Sequence, residues 1–182
     1  MIDKIKKEAG VRMGKSIESL QHAFNRLRTG RANPSLLEGI EVAYYGSDMP
    51  INQVANVIVE DARTLLITPW EKNMLGPIEK AILKSDIGIT PANSGDNIRV
   101  PLPPLTEQNR KDLARQAKQE SENARVAIRN IRRDAIAEIR ELTREKELAE
   151  DDGHRGEDEV QVLTDHWVKE VDTMLGAKEA EL

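Results

Sequence analysis

All eight prolines of this 182-residue chain lie between Pro34 and Pro104; residues 1–33 and 105–182 contain none. Proline costs about 3 kcal/mol inside a helix, so the two ends are free to form long helices and the middle is not. The middle also differs in texture. Ile40–Tyr45, Val54–Val59 and Leu65–Thr68 are rich in β-branched and aromatic residues and are separated by turn residues. The pattern predicts an α+β protein in which a small sheet domain, residues 31–104, is inserted into a helical domain made of residues 1–30 and 105–182. The chain then crosses between the domains twice at one place, and the crossings, near residues 30–32 and 103–106, are candidates for a hinge.

The helical ends predict three helices. In the first, from about Ile2 to Thr29, Met13, Ile17, Leu20, Phe24 and Leu27 step by fours and threes along one seam. Gly30 suits the left-handed residue that closes such a helix. The second begins after Pro103–Pro104 with Thr106 as N-cap and Glu107 in the first turn, and its pattern runs to about Leu148. Ala124, Ile128, Ile131, Ala135 and Leu142 form its seam. The third uses Val160, Leu163, Trp167, Val171 and Met174; Gly153 and Gly156 leave its start open by a turn or so. Such amphipathic helices are stable only when their apolar faces meet, which predicts an elongated three-helix bundle.

In the middle, Gly46-Ser47-Asp48 is a turn cluster, and the runs flanking Glu60–Arg63 predict a hairpin. Met74–Lys84 has helical spacing at Leu75, Ile78 and Ile82. Pro91–Gly95 suggests a loop and Ile98–Leu102 a last strand. A small β/α/β sandwich fits these segments.

Several function classes are disfavoured at once. There is no cysteine, which removes disulfides, thiolate metal sites and a thiol nucleophile. His22, His154 and His166 have no close metal-ligand spacing, and no HExxH motif is present. Gly10–Ser16, GVRMGKS, resembles a phosphate-binding loop, but it has three residues between its glycines instead of four and no strand before it. Two tolerated helix glycines are the simpler reading. No stretch approaches the ~20 apolar residues of a membrane span, so a soluble protein without a membrane partner is expected. MIDKIKKEAG has no apolar run after its lysines, so a cytoplasmic protein is expected too. No metal, cofactor or enzymatic activity is expected.

The net charge of −5 hides strong local fields. Residues 1–31 carry net +5, 32–105 net −4, 106–144 net +3 and 145–182 net −9. The most informative segment is RVAIRNIRRD, Arg125–Asp134, where no acid occurs from Asn123 to Arg133. At 100° per residue Arg125, Arg129 and Arg132 fall within a ~60° sector, with Arg133 ~40° beyond it and the apolar seam pointing elsewhere. These arginines form a basic ridge. Arginine binds phosphate bidentately, so RNA or another polyanion is one partner class; a solvated face bridged to the acidic third helix is the alternative. Arg26, Arg28 and Arg31 cluster at the end of the first helix. They extend the basic surface or favour the helix C-terminus. In the Tyr44–Tyr45 pair, a ring could stack on a base, although core packing of one is the simpler reading.

Five segments carry a resemblance: RTGRANPSLL (Arg28–Leu37), VEDARTL (Val59–Leu65), KAILKSDIGITP (Lys80–Pro91), IRVPLPPLTEQNRKDL (Ile98–Leu113) and ARVAIRNIRRDA (Ala124–Ala135). Together they resemble the bacterial ribosome recycling factor family, in one order over nearly the whole chain. The resemblance implies an L-shaped two-domain, monomeric protein that binds the large ribosomal subunit after termination, mainly through its bundle. With elongation factor G and GTP it splits the ribosome into subunits and releases mRNA, hydrolysing nothing itself. By position, Arg129, Arg132 and Arg133 match the family's rRNA-contacting arginines, and Arg28 and Arg31 its basic RTGRA segment. Gly30, Arg31 and Ala32, with Pro103, Pro104 and Leu105, match its hinge. Glu150–Val160 departs from the family's more basic, helix-favouring run through Gly153, His154 and Gly156. The competing function is a coiled-coil-type protein adaptor that binds no RNA and works through its acidic third helix.

Overall fold

The computed structural model describes residues 1–27, 29–85 and 87–182. The described chain divides into two compact units: Met1–Phe24 with Ala114–Glu181, and Asn25–Leu113 with Leu182. The division falls within helices, so the end of the first helix and the opening turns of the helix that follows Pro104 count with the sheet.

The first unit is built from α1 (Ile2–Arg26), α3 (Glu107–Arg144) and α4 (Glu150–Glu181). Thr106 caps α3: its hydroxyl accepts the Asn109 N–H at 3.0 Å. The buried positions of α3 in this unit are Ala117, Ser121, Ala124, Ile128, Ile131, Ala135, Ile136 and Ile139, the expected seam with further members but without Leu142, which is half-buried. Ile5, Ala9, Met13, Leu20 and Phe24 of α1 and Val160, Thr164 and Val171 of α4 complete the core. Gly10 and Gly14 lie inside α1, where an added Cβ would stand 3.8 Å from Leu163 and Trp167 respectively. They are helix contact residues, with no phosphate loop around them.

Three helix ends differ from the sequence expectation. α1 stops at Arg26, short of Thr29, so Gly30 lies beyond the helix and does not close it. α3 stops at Arg144, before Leu148, because the chain turns into a closing motif there. Lys146 takes the left-handed conformation at φ 64°, its N–H bonds to the Thr143 carbonyl at 3.1 Å, and the Glu147 N–H reaches Leu142 at 2.9 Å. α4 begins at Glu150, so Gly153 and Gly156 fall inside it. Both are buried where helices touch. A Cβ at Gly153 would stand 2.5 Å from Thr143 Oγ1, and one at Gly156 would stand 2.9 Å from Ile2 Cδ1 and 3.3 Å from Ile139 Cδ1. These glycines do not break the helix; they let it dock.

The second unit contains α2 (Leu75–Lys84) and six strands, β1 (Glu41–Tyr44), β2 (Ser47–Pro50), β3 (Ala55–Asp61), β4 (Thr64–Pro69), β5 (Ala92–Asn93) and β6 (Ile98–Pro101). β1 and β2 form a separate hairpin; the other four form an antiparallel sheet in the order β3-β4-β6-β5. The expected turn at Gly46-Ser47-Asp48 is shorter than the sequence suggested. Tyr45 and Gly46, at φ 46° and 84°, make a two-residue mirror-image turn, and Ser47 already pairs with Tyr44. Tyr45 is therefore a turn residue, 70% exposed, while Tyr44 packs against the core with its ring edge-on to Tyr45 at 4.6 Å. The segment expected as a loop at Pro91–Gly95 contains the short β5. Leu75, Ile78 and Ile82 of α2 pack with Leu37, Val42, Leu65, Ile67, Ile98 and Val100 in one core.

Within the second unit, Ala32 and Leu102 are both tied to the tip of the β3–β4 hairpin. The Ala32 N–H donates to the Ala62 carbonyl at 2.8 Å, and the Leu102 N–H donates to the Arg63 carbonyl at 2.7 Å. Gly30 is left-handed at φ 82°, with the Leu105 side chain beside it. No helix among the described residues is long and apolar enough to cross a membrane.

Candidate nucleic-acid interface

The basic ridge is one face of α3, and packing against α4 splits it into two rows. Arg125 and Arg132 are seven residues apart, so they recur on the side that meets α4. Arg129 and Arg133 stand about 40° and 80° round from Arg125, toward solvent.

Arg125 is the most enclosed, with its side chain 19% exposed. Its Nε and Nη2 donate to Asp172 Oδ1 at 3.2 and 2.5 Å, and its Nη1 lies 3.4 Å from Glu122 Oε2. The Asp172 hydrogen bond, outweighing partial burial, holds its pKa above the ordinary arginine value. Arg140 is also engaged, with Glu157 at 2.9 Å. Arg132 differs from both. Its Nε donates to the neutral Gln161 Oε1 at 2.5 Å, and its two terminal Nη groups make no hydrogen bond or ion pair with any described residue.

In the solvent row, Arg129 is 56% exposed and only loosely paired, with Glu122 at 3.4 Å. Arg133 is exposed and makes no ion pair or hydrogen bond among the described residues. The cationic edges left open along the ridge are thus those of Arg132 and Arg133, with Arg129 held only through Nη1 on Glu122. Arg125 sits on the same helix as a strut between α3 and α4. A long helix offering three guanidinium edges in water suits contact with a regular array of phosphates.

Of the other candidate residues, Arg31 is exposed, and Arg28 lies outside the described residues. Gly30, Ala32, Pro103, Pro104 and Leu105, the expected hinge residues, lie within the second unit. Sequence reasoning missed the groups that hold the arginines. Glu122 lies one residue outside the acid-free window. Gln161 and Asp172 come from α4, and no signal in the α3 segment marks them. Among the described residues no cluster of acidic or histidine side chains could hold a metal ion.

The comparisons with known proteins point one way. Residues 20–182 match the family model described as ribosome recycling factor. A ribosome-recycling factor of Hahella chejuensis is 57% identical over 182 residues, covering 100% of this chain and 98% of the relative. The solution structure of a ribosome recycling factor matches with TM-score 0.76 and 39% identity over 99% of this chain and 96% of the other. A second structure, of the T. thermophilus ribosome recycling factor and the E. coli elongation factor G bound to the E. coli post-termination complex, matches with TM-score 0.69 and 45% identity, covering 100% of this chain and 98% of that one. The chain belongs to the ribosome recycling factor family.

Proposed function

We propose that this cytoplasmic protein recycles ribosomes: it binds the large subunit of the post-termination complex as a monomer and, with elongation factor G and GTP, splits the complex into subunits and releases the mRNA. It performs no catalysis of its own. The observation that carries this reading is the full-length identity to ribosome recycling factors, one of whose structural relatives is bound with elongation factor G to a post-termination complex.

The geometry supplies a mechanism. Arg129, Arg132 and Arg133 contact rRNA phosphates and anchor the helical unit, with Arg125 stiffening the ridge from beneath; Arg28 and Arg31 are read as further phosphate contacts of the RTGRA segment. The sheet unit is the lever. Ala32 and Leu102 are hydrogen-bonded to the β3–β4 tip, so they travel with the sheet. We place the pivot at Gly30–Arg31 and Pro103–Leu105, on the helix side of those bonds, because the family resemblance marks its hinge there. Gly30, already left-handed, accepts backbone rotations that other residues resist. A translocase pressing on the sheet unit would move it while the arginines hold.

Light scattering of post-termination ribosomes tests this reading. Wild type should split them only when elongation factor G and GTP are both present. Replacing Arg129, Arg132 and Arg133 together by alanine should abolish splitting while helix content is unchanged. Full splitting by that variant would overturn the anchoring role.

A further inference from the structure

We infer that Gln161 is a positioning residue for Arg132, holding its guanidinium so that the two terminal Nη groups face a phosphate end-on. The inference rests on the reading of the ridge as a phosphate-binding surface and adds a residue from the other helix to it. A guanidinium offers two bidentate edges, one through Nε and Nη and one through both Nη groups. Gln161 Oε1 occupies Nε at 2.5 Å, which uses up the first edge and leaves the second free.

Gln161 is itself held. Its Nε2 donates to Asp165 Oδ1, four residues on along α4, at 2.8 Å. The carboxylate, amide and guanidinium form a line in which each hydrogen bond polarises the next. Two features mark this line as different from the neighbouring contacts. Arg125 and Arg140 meet carboxylates directly, and their charge is neutralised there. Arg132 meets a neutral amide, with the negative charge one residue removed. The amide fixes the direction of the arginine and leaves its charge to act on a polyanion. A free arginine side chain must lose its rotamer freedom on binding; one already held by Gln161 loses less.

The test measures binding to purified large ribosomal subunits across a salt series for wild type, Gln161→Met, Gln161→Glu, Arg132→Ala and Gln161→Met/Arg132→Ala. Methionine keeps the length of the side chain and removes the acceptor. Gln161→Met should bind roughly three- to tenfold more weakly with an unchanged salt slope, because the charge remains and only its order is lost. Arg132→Ala should weaken binding and also flatten the slope by about one. Gln161→Glu, which pairs the charge, should resemble Arg132→Ala. In the Arg132→Ala background the methionine substitution should change nothing. Wild-type binding by Gln161→Met, alongside a weakened Arg132→Ala, would overturn the inference alone. Wild-type binding by Arg132→Ala would overturn the phosphate reading beneath it.

Discussion

Alanine in place of Gly153 should destabilise the helical unit, although residue 153 lies inside a helix. On propensity alone the substitution gains about 1 kcal/mol. Packing opposes it. The new Cβ would stand 2.5 Å from Thr143 Oγ1, with Thr143 Cβ and Cγ2 at 3.6 Å. Thr143 is short and β-branched, and its hydroxyl donates to the Ile139 carbonyl at 2.9 Å, so it has little room to move aside. Overpacking of this kind costs about 1–3 kcal/mol, which leaves a net loss of about 1 kcal/mol. Thr143→Ala removes the obstructing oxygen and leaves only a Cβ contact at ordinary distance. In that background Gly153→Ala should stabilise by up to about 1 kcal/mol, its full propensity gain. The sign reverses, and the coupling of about 2 kcal/mol far exceeds the scatter expected of independent sites. Urea unfolding of the four proteins, followed by far-UV circular dichroism, measures it, with melting shifts of about 2–4 °C per kcal/mol as a second readout. The same sign in both backgrounds would refute the docking role of this glycine.

Three other outcomes follow from the same structure. Arg125→Ala should cost about 1 kcal/mol of stability in urea unfolding, because it removes the enclosed guanidinium that joins Glu122 of α3 to the exposed Asp172 of α4; an unchanged midpoint would remove the strut role. Lys146→Gly should raise stability by about 0.5–1 kcal/mol in thermal melts, since glycine meets the left-handed backbone without a Cβ conflict. Asp61 accepts the Arg63 N–H at 3.0 Å, and that bond, with Thr64 assisting, holds its carboxyl below the ordinary range. The stability it contributes is therefore present above the ordinary carboxylate range and lost as pH falls through the lowered folded value. Asp61→Ala should lose stability at neutral pH and less at strongly acidic pH, read from unfolding midpoints at both.

Much of the fold was legible because its signals are local. The proline block, the seam of Ala124, Ile128, Ile131 and Ala135, and the apolar spacing of α2 all follow from the periodicity of one segment. What escaped notice depends on partners far along the chain. Lys146 ends α3 in a left-handed conformation that sequence reasoning reserves for glycine or asparagine. β2, Ser47–Pro50, is short and polar and lies mostly in solvent, so no alternation announces it. Gly153 and Gly156 look like helix breakers until Thr143, Ile139 and Ile2 are placed against them. The arginines of the ridge were visible as a cluster. Which of them α4 engages was not, because that depends on how α3 and α4 register against each other. The structure and the full-length relatives favour a ribosome-binding protein over the coiled-coil adaptor that the acidic third helix alone left open.

The central claim is that the free guanidinium edges on α3 bind the phosphates of rRNA. The most direct test is the affinity of wild type and Arg132→Ala for purified large ribosomal subunits as salt is varied. Wild type should bind tightly and lose affinity steeply as salt rises, and Arg132→Ala should bind more weakly with a slope shallower by about one. Coincident curves for the two proteins, or binding that ignores salt, would contradict the claim.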